Sequence, residues 1–146
     1  QYYPDINAHG TRYSGGFDPF SVASGVLTIT GQRTPAGART AKPFVSGALC
    51  TKGGFRQQYG YIETRAKPSK GQGIWPAFWM LMDPVVWPPE IDIIEWNGNQ
   101  PNRIWGTIHT APTGQYSFTG ESPTVGVDTT ADFHLYGVDW KADTID

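Results

Sequence analysis

The heptapeptide EIDIIEW, residues 90–96, sets three carboxylates, Glu90, Asp92 and Glu95, among isoleucines with no basic residue between them. Acidic and apolar residues alternate up to Ile93, the two-residue period of a strand with one face in a core. Glu90 and Asp92 therefore share a face, while Ile91 and Ile93 point inward. Glu95 breaks this parity. It rejoins the acidic face if one extra residue is accommodated near Ile93–Ile94, as in a β-bulge, a feature common beside active sites. With that correction Glu90 and Glu95 lie as if four strand positions apart, about 13 Å between Cα atoms. Two Glu side chains leaning together, each reaching about 4 Å, leave a gap of roughly 5 Å. A gap of about 5 to 5.5 Å lets one carboxylate attack a sugar while the other protonates the leaving oxygen, the retaining geometry. Asp92, one carbon shorter, sits beside Glu90.

Three carboxylates on a partly desolvated face do not all ionise freely, so at least one proton is held to a higher pH than in water. That matches a division of labour between an ionised nucleophile and a protonated acid. Two plainer readings stand beside it. The acids could collect a hard cation such as calcium, although the Asn/Asp/Gly loop character of common sites is absent, or they could form a solvated strand face, which alternation with isoleucine disfavours.

Outward from this stretch the chain is punctuated by turn residues. Its 146 residues include 18 Gly, 12 Pro, 6 Trp, 7 Tyr and 7 Phe, with only 16% charged side chains, the balance of a turn-rich all-β protein. Strands are expected at 26–30 (VLTIT), 59–67 (YGYIETRAK), 73–81 (GIWPAFWML), 90–96, 103–110 (RIWGTIHT) and 133–140 (FHLYGVDW). Alternation gives Tyr59, Tyr61, Glu63, Arg65 and Lys67 one face, opposite Ile62 and Ala66. It likewise sets Trp105, Thr107 and His109 against Ile104 and Ile108, and gives Trp75, Ala77 and Trp79 a common face. Residues 110–132 show no periodicity and read as a long rim loop. The pattern predicts an antiparallel sandwich or barrel in a single domain.

A formal net charge of -2 disfavours nucleic acid as a partner. No stretch approaches the roughly 18 apolar residues of a membrane span. Cys50 is alone, so it has no internal disulfide partner, and no His/Cys ligand pattern points to a metal. The opening Gln1 and the close at DTID suggest part of a longer domain, lacking C-terminal strands and some N-terminal residues.

Residues 59–81 (YGYIETRAKPSKGQGIWPAFWML), 90–98 (EIDIIEWNG), 106–110 (GTIHT) and 133–140 (FHLYGVDW) together resemble the catalytic domain of glycoside hydrolase family 16, in the laminarinase-like branch of endo-β-1,3-glucanases. The resemblance implies a jelly-roll sandwich of two curved antiparallel sheets, concanavalin A-like, with a cleft on the concave face. It implies that Glu90 is the nucleophile, Asp92 the assisting acid and Glu95 the acid/base, in hydrolysis of internal β-1,3 bonds of laminarin-like or mixed-linkage β-glucan. EIDIIE, rather than the unbulged EIDIE of the lichenase branch, favours the laminarinase-like enzymes. The polysaccharide is the implied partner, the intact domain a monomer and its location secreted or extracellular. No cofactor is required, and a structural calcium ion stays open.

With that resemblance Trp75 and Trp79, which could otherwise be core, are assigned to stacking on the flat C–H faces of sugars, and Trp140 with them. His109 is read as a hydrogen-bonding group near the leaving-group side. Arg65 becomes a donor to sugar hydroxyls, its alternative being a surface pair with Glu63. Trp87 and Trp96 read equally as rim or core, and His9, His134 and Cys50 as structural bystanders. The rival functions are a non-catalytic glucan-binding lectin, a transglycosylase and a galactan hydrolase on the same scaffold.

Overall fold

A computed structural model describes residues 18–37 and 42–146. His9, read from sequence as a bystander, lies outside them. Ten strands and no helix occur among the described residues. The chain divides into two compact units, residues 1–56 and 57–146.

In the first unit, β1 (Phe20–Ala23) and β2 (Val26–Ile29) form an antiparallel hairpin. Its two-residue turn is Ser24–Gly25, with φ of 51° and 75°. Positive φ at both positions is the mirror-image turn whose twist matches that of the flanking strands. β3 (Gln32–Arg33) pairs with β4 (Phe44–Val45), and Val45 is buried.

The second unit holds two sheets. β5 (Gly60–Ala66) pairs with β10 (His134–Trp140). β6 (Ala77–Leu81), β7 (Glu90–Trp96), β8 (Ile104–Thr110) and β9 (Ser117–Glu121) form an antiparallel sheet in chain order. The core joins them: Ile94 and Trp96 of β7 pack with Tyr136 of β10, and Ala66, Phe78 and Ile104 close around them. Trp96 meets Tyr136 edge to face at 4.8 Å, a favoured aromatic geometry. Trp96, left open between rim and core by sequence, is therefore core.

Three sequence expectations are corrected here. The strand expected over 73–81 begins only at Ala77, so Trp75 precedes it rather than sharing its pleat. The 110–132 stretch is not one loop, because Ser117–Glu121 forms β9 on the edge of β8. Its alternation is hidden by small residues, among them Gly120, where a Cβ would stand 2.3 Å from the Gly106 carbonyl oxygen. The remainder is tied down too: Thr129 donates through N and Oγ1 to the Pro101 carbonyl, and Lys70 pairs with Asp128 at 2.9 Å. Finally, Ile94 rather than Ile93 fills the core, at 3% exposure.

Candidate active site

The inward position of Ile94 follows from a bulge. Against β8, Asp92 pairs with Thr107 and Glu95 with Trp105, so three steps on β7 oppose two on β8. Against β6, Ile94 pairs with Phe78 and Asp92 with Trp79, which leaves Ile93 as the unmatched residue. The extra residue resets parity as the sequence pattern requires. Glu90 lies between Leu81 and His109, Asp92 between Trp79 and Thr107, and Glu95 between Ala77 and Trp105. Directly paired residues share a face of a sheet, so all three carboxylates occupy the face opposite Ile94 and Trp96.

Each carboxylate has a donor or donor-capable partner. The indole Nε1 of Trp75 donates to Glu95 Oε1 at 2.9 Å. That of Trp87 donates to Glu90 Oε2. His109 Nε2 meets Asp92 Oδ2 at 2.8 Å, and its Nδ1 meets the Tyr116 hydroxyl at 2.9 Å. Trp75 holds its place without being in a strand because its segment is laced to the end of β7. Gly98 N donates to the Ile74 carbonyl, Gly71 N to the Gly98 carbonyl and Trp96 N to the Pro76 carbonyl. Only glycine fits at 98, since a Cβ there would stand 2.5 Å from the Gly71 carbonyl oxygen.

Asp92 is the buried member, at 6% exposure. Burial and the neighbouring Glu90 charge push its carboxyl up to about 6, Glu95 adds to the rise, and the His109 hydrogen bond opposes it. Glu90 thus favours the proton on Asp92 both by its charge and by its proximity. Asp92 is accordingly the carboxyl of the three whose proton is held to higher pH.

Among the sequence-assigned binding residues, Trp75 and His109 touch the carboxylates and Trp79 is the strand neighbour of Asp92. Trp75 is 65% exposed, with ring surface left for a ligand. Arg65 and Trp140 have their partners on the β5–β10 pair instead. The Arg65 guanidinium stands 4.5 Å over the Phe133 ring, on the face of β5 opposite Ala66, and Trp140 meets Tyr59 edge to face at 5.2 Å. Sequence reasoning did not assign Trp87 to the carboxylates and gave Tyr116 no role. Trp87 had a signal: it lies three residues before Glu90, behind Pro88 and Pro89. Tyr116 had none, since its partner is fixed by the β8–β9 register. A ring stack links them, with Trp87–Tyr116 centroids at 5.2 Å and Tyr116–Phe118 at 6.2 Å. Among the described residues no cluster of side chains is arranged to hold a metal ion.

Comparison with known proteins now bears on this arrangement. The family model "Glycosyl hydrolases family 16" matches residues 17–146. The endo-1,3-1,4-beta-glycanase EglC of Rhizobium meliloti is 41% identical over 131 residues, 88% of this chain and 28% of its own length. A beta-glucanase of Rhodothermus marinus is 33% identical over 153 residues, covering 99% of this chain and 49% of its own. Among solved structures, the laminarinase catalytic domain of Thermotoga maritima superposes with a TM-score of 0.72 at 32% identity, over 99% of this chain and 56% of that one. The chain therefore spans about half or less of the length of these relatives. The fold class is accordingly the all-β jelly roll that the sequence resemblance implies.

Proposed function

Because the chain belongs to glycosyl hydrolase family 16, we propose that the protein carrying it is a retaining endo-glycosidase that cleaves internal β-1,3 bonds of a laminarin-like or mixed-linkage β-glucan. The observation that carries this reading is the placement of Glu90 and Glu95 four strand positions apart on one face, with Asp92 between them.

In the first step a Glu90 oxygen attacks the anomeric carbon while Glu95 gives its proton to the glycosidic oxygen. The C–O bond breaks, the shortened glucan departs as an alcohol, and the sugar is left as an ester of Glu90. In the second step Glu95, now a base, takes a proton from water as the water oxygen attacks the same carbon and releases Glu90. Two inversions give net retention. The Trp75 indole engages one oxygen of Glu95 and so orients the carboxyl that must both give and take a proton. Asp92 supports Glu90 by donating to it while Glu90 carries the negative charge. Trp75 and Trp79 offer ring faces for sugar stacking along the same side, and His109 bounds it next to Glu90.

The substrate class draws on the enzyme relatives, one of which is named for 1,3-1,4-β-glycans and one for laminarin. Two measurements on the full-length protein test the reading. Product analysis on laminarin, mixed-linkage glucan, agarose and carrageenan is expected to give oligosaccharides from the first two only. Proton NMR of the first products is expected to show the β-anomer before mutarotation, and an initial α-anomer would overturn the double displacement. Unchanged polymer length with every glucan would support a binding module instead.

A further inference from the structure

Five side chains form a chain of contacts that runs from one carboxylate to another. Trp87 donates to Glu90, its indole stacks on Tyr116, the Tyr116 hydroxyl reaches His109, and His109 reaches Asp92. Tyr116 is the one member that comes from the β8–β9 connection. It is held by rings on several sides, with the His109 ring 5.9 Å away at an interplanar angle of 17° and Phe118 at 6.2 Å.

The chemistry of the two His109 contacts fixes a direction. The Asp92 oxygen that faces His109, Oδ2, accepts both when the carboxyl is ionised and when its proton sits on the other oxygen, so its favourable partner is a donating Nε2–H. A neutral imidazole with its proton on Nε2 has a lone pair on Nδ1, and that lone pair faces the Tyr116 hydroxyl. A hydroxyl can supply the needed proton; a phenyl ring cannot.

We propose that Tyr116 is a positioning residue whose hydroxyl donates to His109 Nδ1, selects the Nε2–H tautomer and thereby holds Asp92 in place beside the nucleophile. This rests on the reading of Glu90 as nucleophile for its effect on rate. The tautomer itself does not depend on that reading. Removing the hydroxyl frees Nδ1 to take the proton, and in that tautomer Nε2 presents a lone pair to Asp92 Oδ2 and repels the lone pairs of that oxygen. Asp92 then loses its anchor although no atom of Asp92, His109 or Glu90 has been changed.

The test compares Tyr116→Phe with wild type in the full-length protein. Phe keeps the ring stack on Trp87 and Phe118 and deletes one hydroxyl. The expected result is a fall in kcat of roughly tenfold, the size of one lost hydrogen bond, with KM for laminarin unchanged. Nitrogen-15 NMR of histidine-labelled protein is expected to show a single Nε2–H tautomer for His109 in the wild type and a mixture in the variant. An unchanged kcat together with an unchanged tautomer would overturn the proposal. So would a raised KM at constant kcat, which would mean that the hydroxyl touches sugar. If Tyr116→Phe fails to fold, the wild-type spectrum alone decides, because an Nδ1–H tautomer there contradicts the assignment. A wild-type protein inactive on every glucan would sink the glycosidase reading while leaving the tautomer measurement intact.

Discussion

Glu90 and Glu95 are five residues apart along β7 but four apart along each neighbouring strand, where Leu81 and His109 flank the first and Ala77 and Trp105 the second. The unmatched residue, Ile93, absorbs the difference.

Deleting Ile93 therefore removes the bulge without moving either Glu off the face. Activity of that variant on laminarin is expected to stay within about tenfold of wild type, a barrier change of ~1.4 kcal/mol. Deleting Ile91 instead turns Glu90 toward the core side. That variant should lose activity on the order of 1,000-fold, the range of a removed catalytic group. Equal loss in both deletions, by reducing-sugar release, would show that the bulge matters for more than parity.

Glu90→Gln and Glu95→Gln should separate the two steps. Both should lower laminarin hydrolysis on the order of 1,000-fold. With an aryl β-glucoside whose phenol departs unaided, Glu95→Gln should keep a fast first step and release a burst of phenol, whereas Glu90→Gln should give none. Stopped-flow absorbance distinguishes them, and a burst from the Glu90 variant would contradict its role as nucleophile.

Asp92 makes a pH prediction whose sign follows from its raised carboxyl, at about 6 against the ordinary 3.8. Between these values the folded protein holds the proton more tightly than the unfolded chain does. The stability associated with Asp92 is thus fully present below its ordinary value and is lost as pH rises through about 6. Asp92→Asn should be less sensitive to pH across this window. Comparing denaturant midpoints at both ends, the difference between wild type and variant should change by on the order of 2 kcal/mol. Parallel pH profiles would remove Asp92 as the origin.

Trp75→Phe keeps an aromatic surface and deletes the donor to Glu95. The loss of a hydrogen bond to a group that becomes charged as it gives up its proton, about 1.5–3 kcal/mol, should lower kcat by one to two orders of magnitude. KM should move less, because the ring face remains. A pure KM effect would make Trp75 a stacking residue alone.

Gly120→Ala tests the packing that holds β9. The new methyl would stand 2.3 Å from the Gly106 carbonyl oxygen and 3.0 Å from Thr107 Cα. Both are backbone atoms of the partner strand, so relief requires the strands to part. A loss of about 1–3 kcal/mol is expected, measurable by denaturant unfolding, and a neutral result would mean that β9 shifts freely along β8.

What the sequence revealed and what it concealed divide along the period of the strand. The alternation in 90–96 and 103–110 predicts both faces of β7 and β8, and the broken parity of Glu95 locates the bulge. Those features are local, set by side chains one or two residues apart. By contrast, three carboxylates look alike in sequence, and only the flanking strands make Asp92 the buried one. The spacing of Trp75 from Trp79 fits the pleat of β6, but the backbone hydrogen bonds around Gly98 hold its segment outside the strand. β9 was hidden because Gly and Ser dilute its alternation, and with it went the register that brings Tyr116 to His109. The contact of Arg65 with Phe133 was likewise hidden, since it depends on the β5–β10 pairing.

The Gly98 lacing has a further meaning for inheritance. Trp75, which holds Glu95, precedes β6, and Trp87, which holds Glu90, follows it. Both acids and both indoles thus fall within the continuous segment 75–95, a single β6–β7 hairpin with its lead-in. A gene exchange with breakpoints outside that segment transfers the two pairings together. The remaining partners, Gly71 and Gly98, lie only a few residues beyond its ends, so a cassette of under thirty residues, 71–98, carries the two glutamates, their indole donors and the backbone ties that hold them, while His109, the partner of Asp92, stays behind on β8.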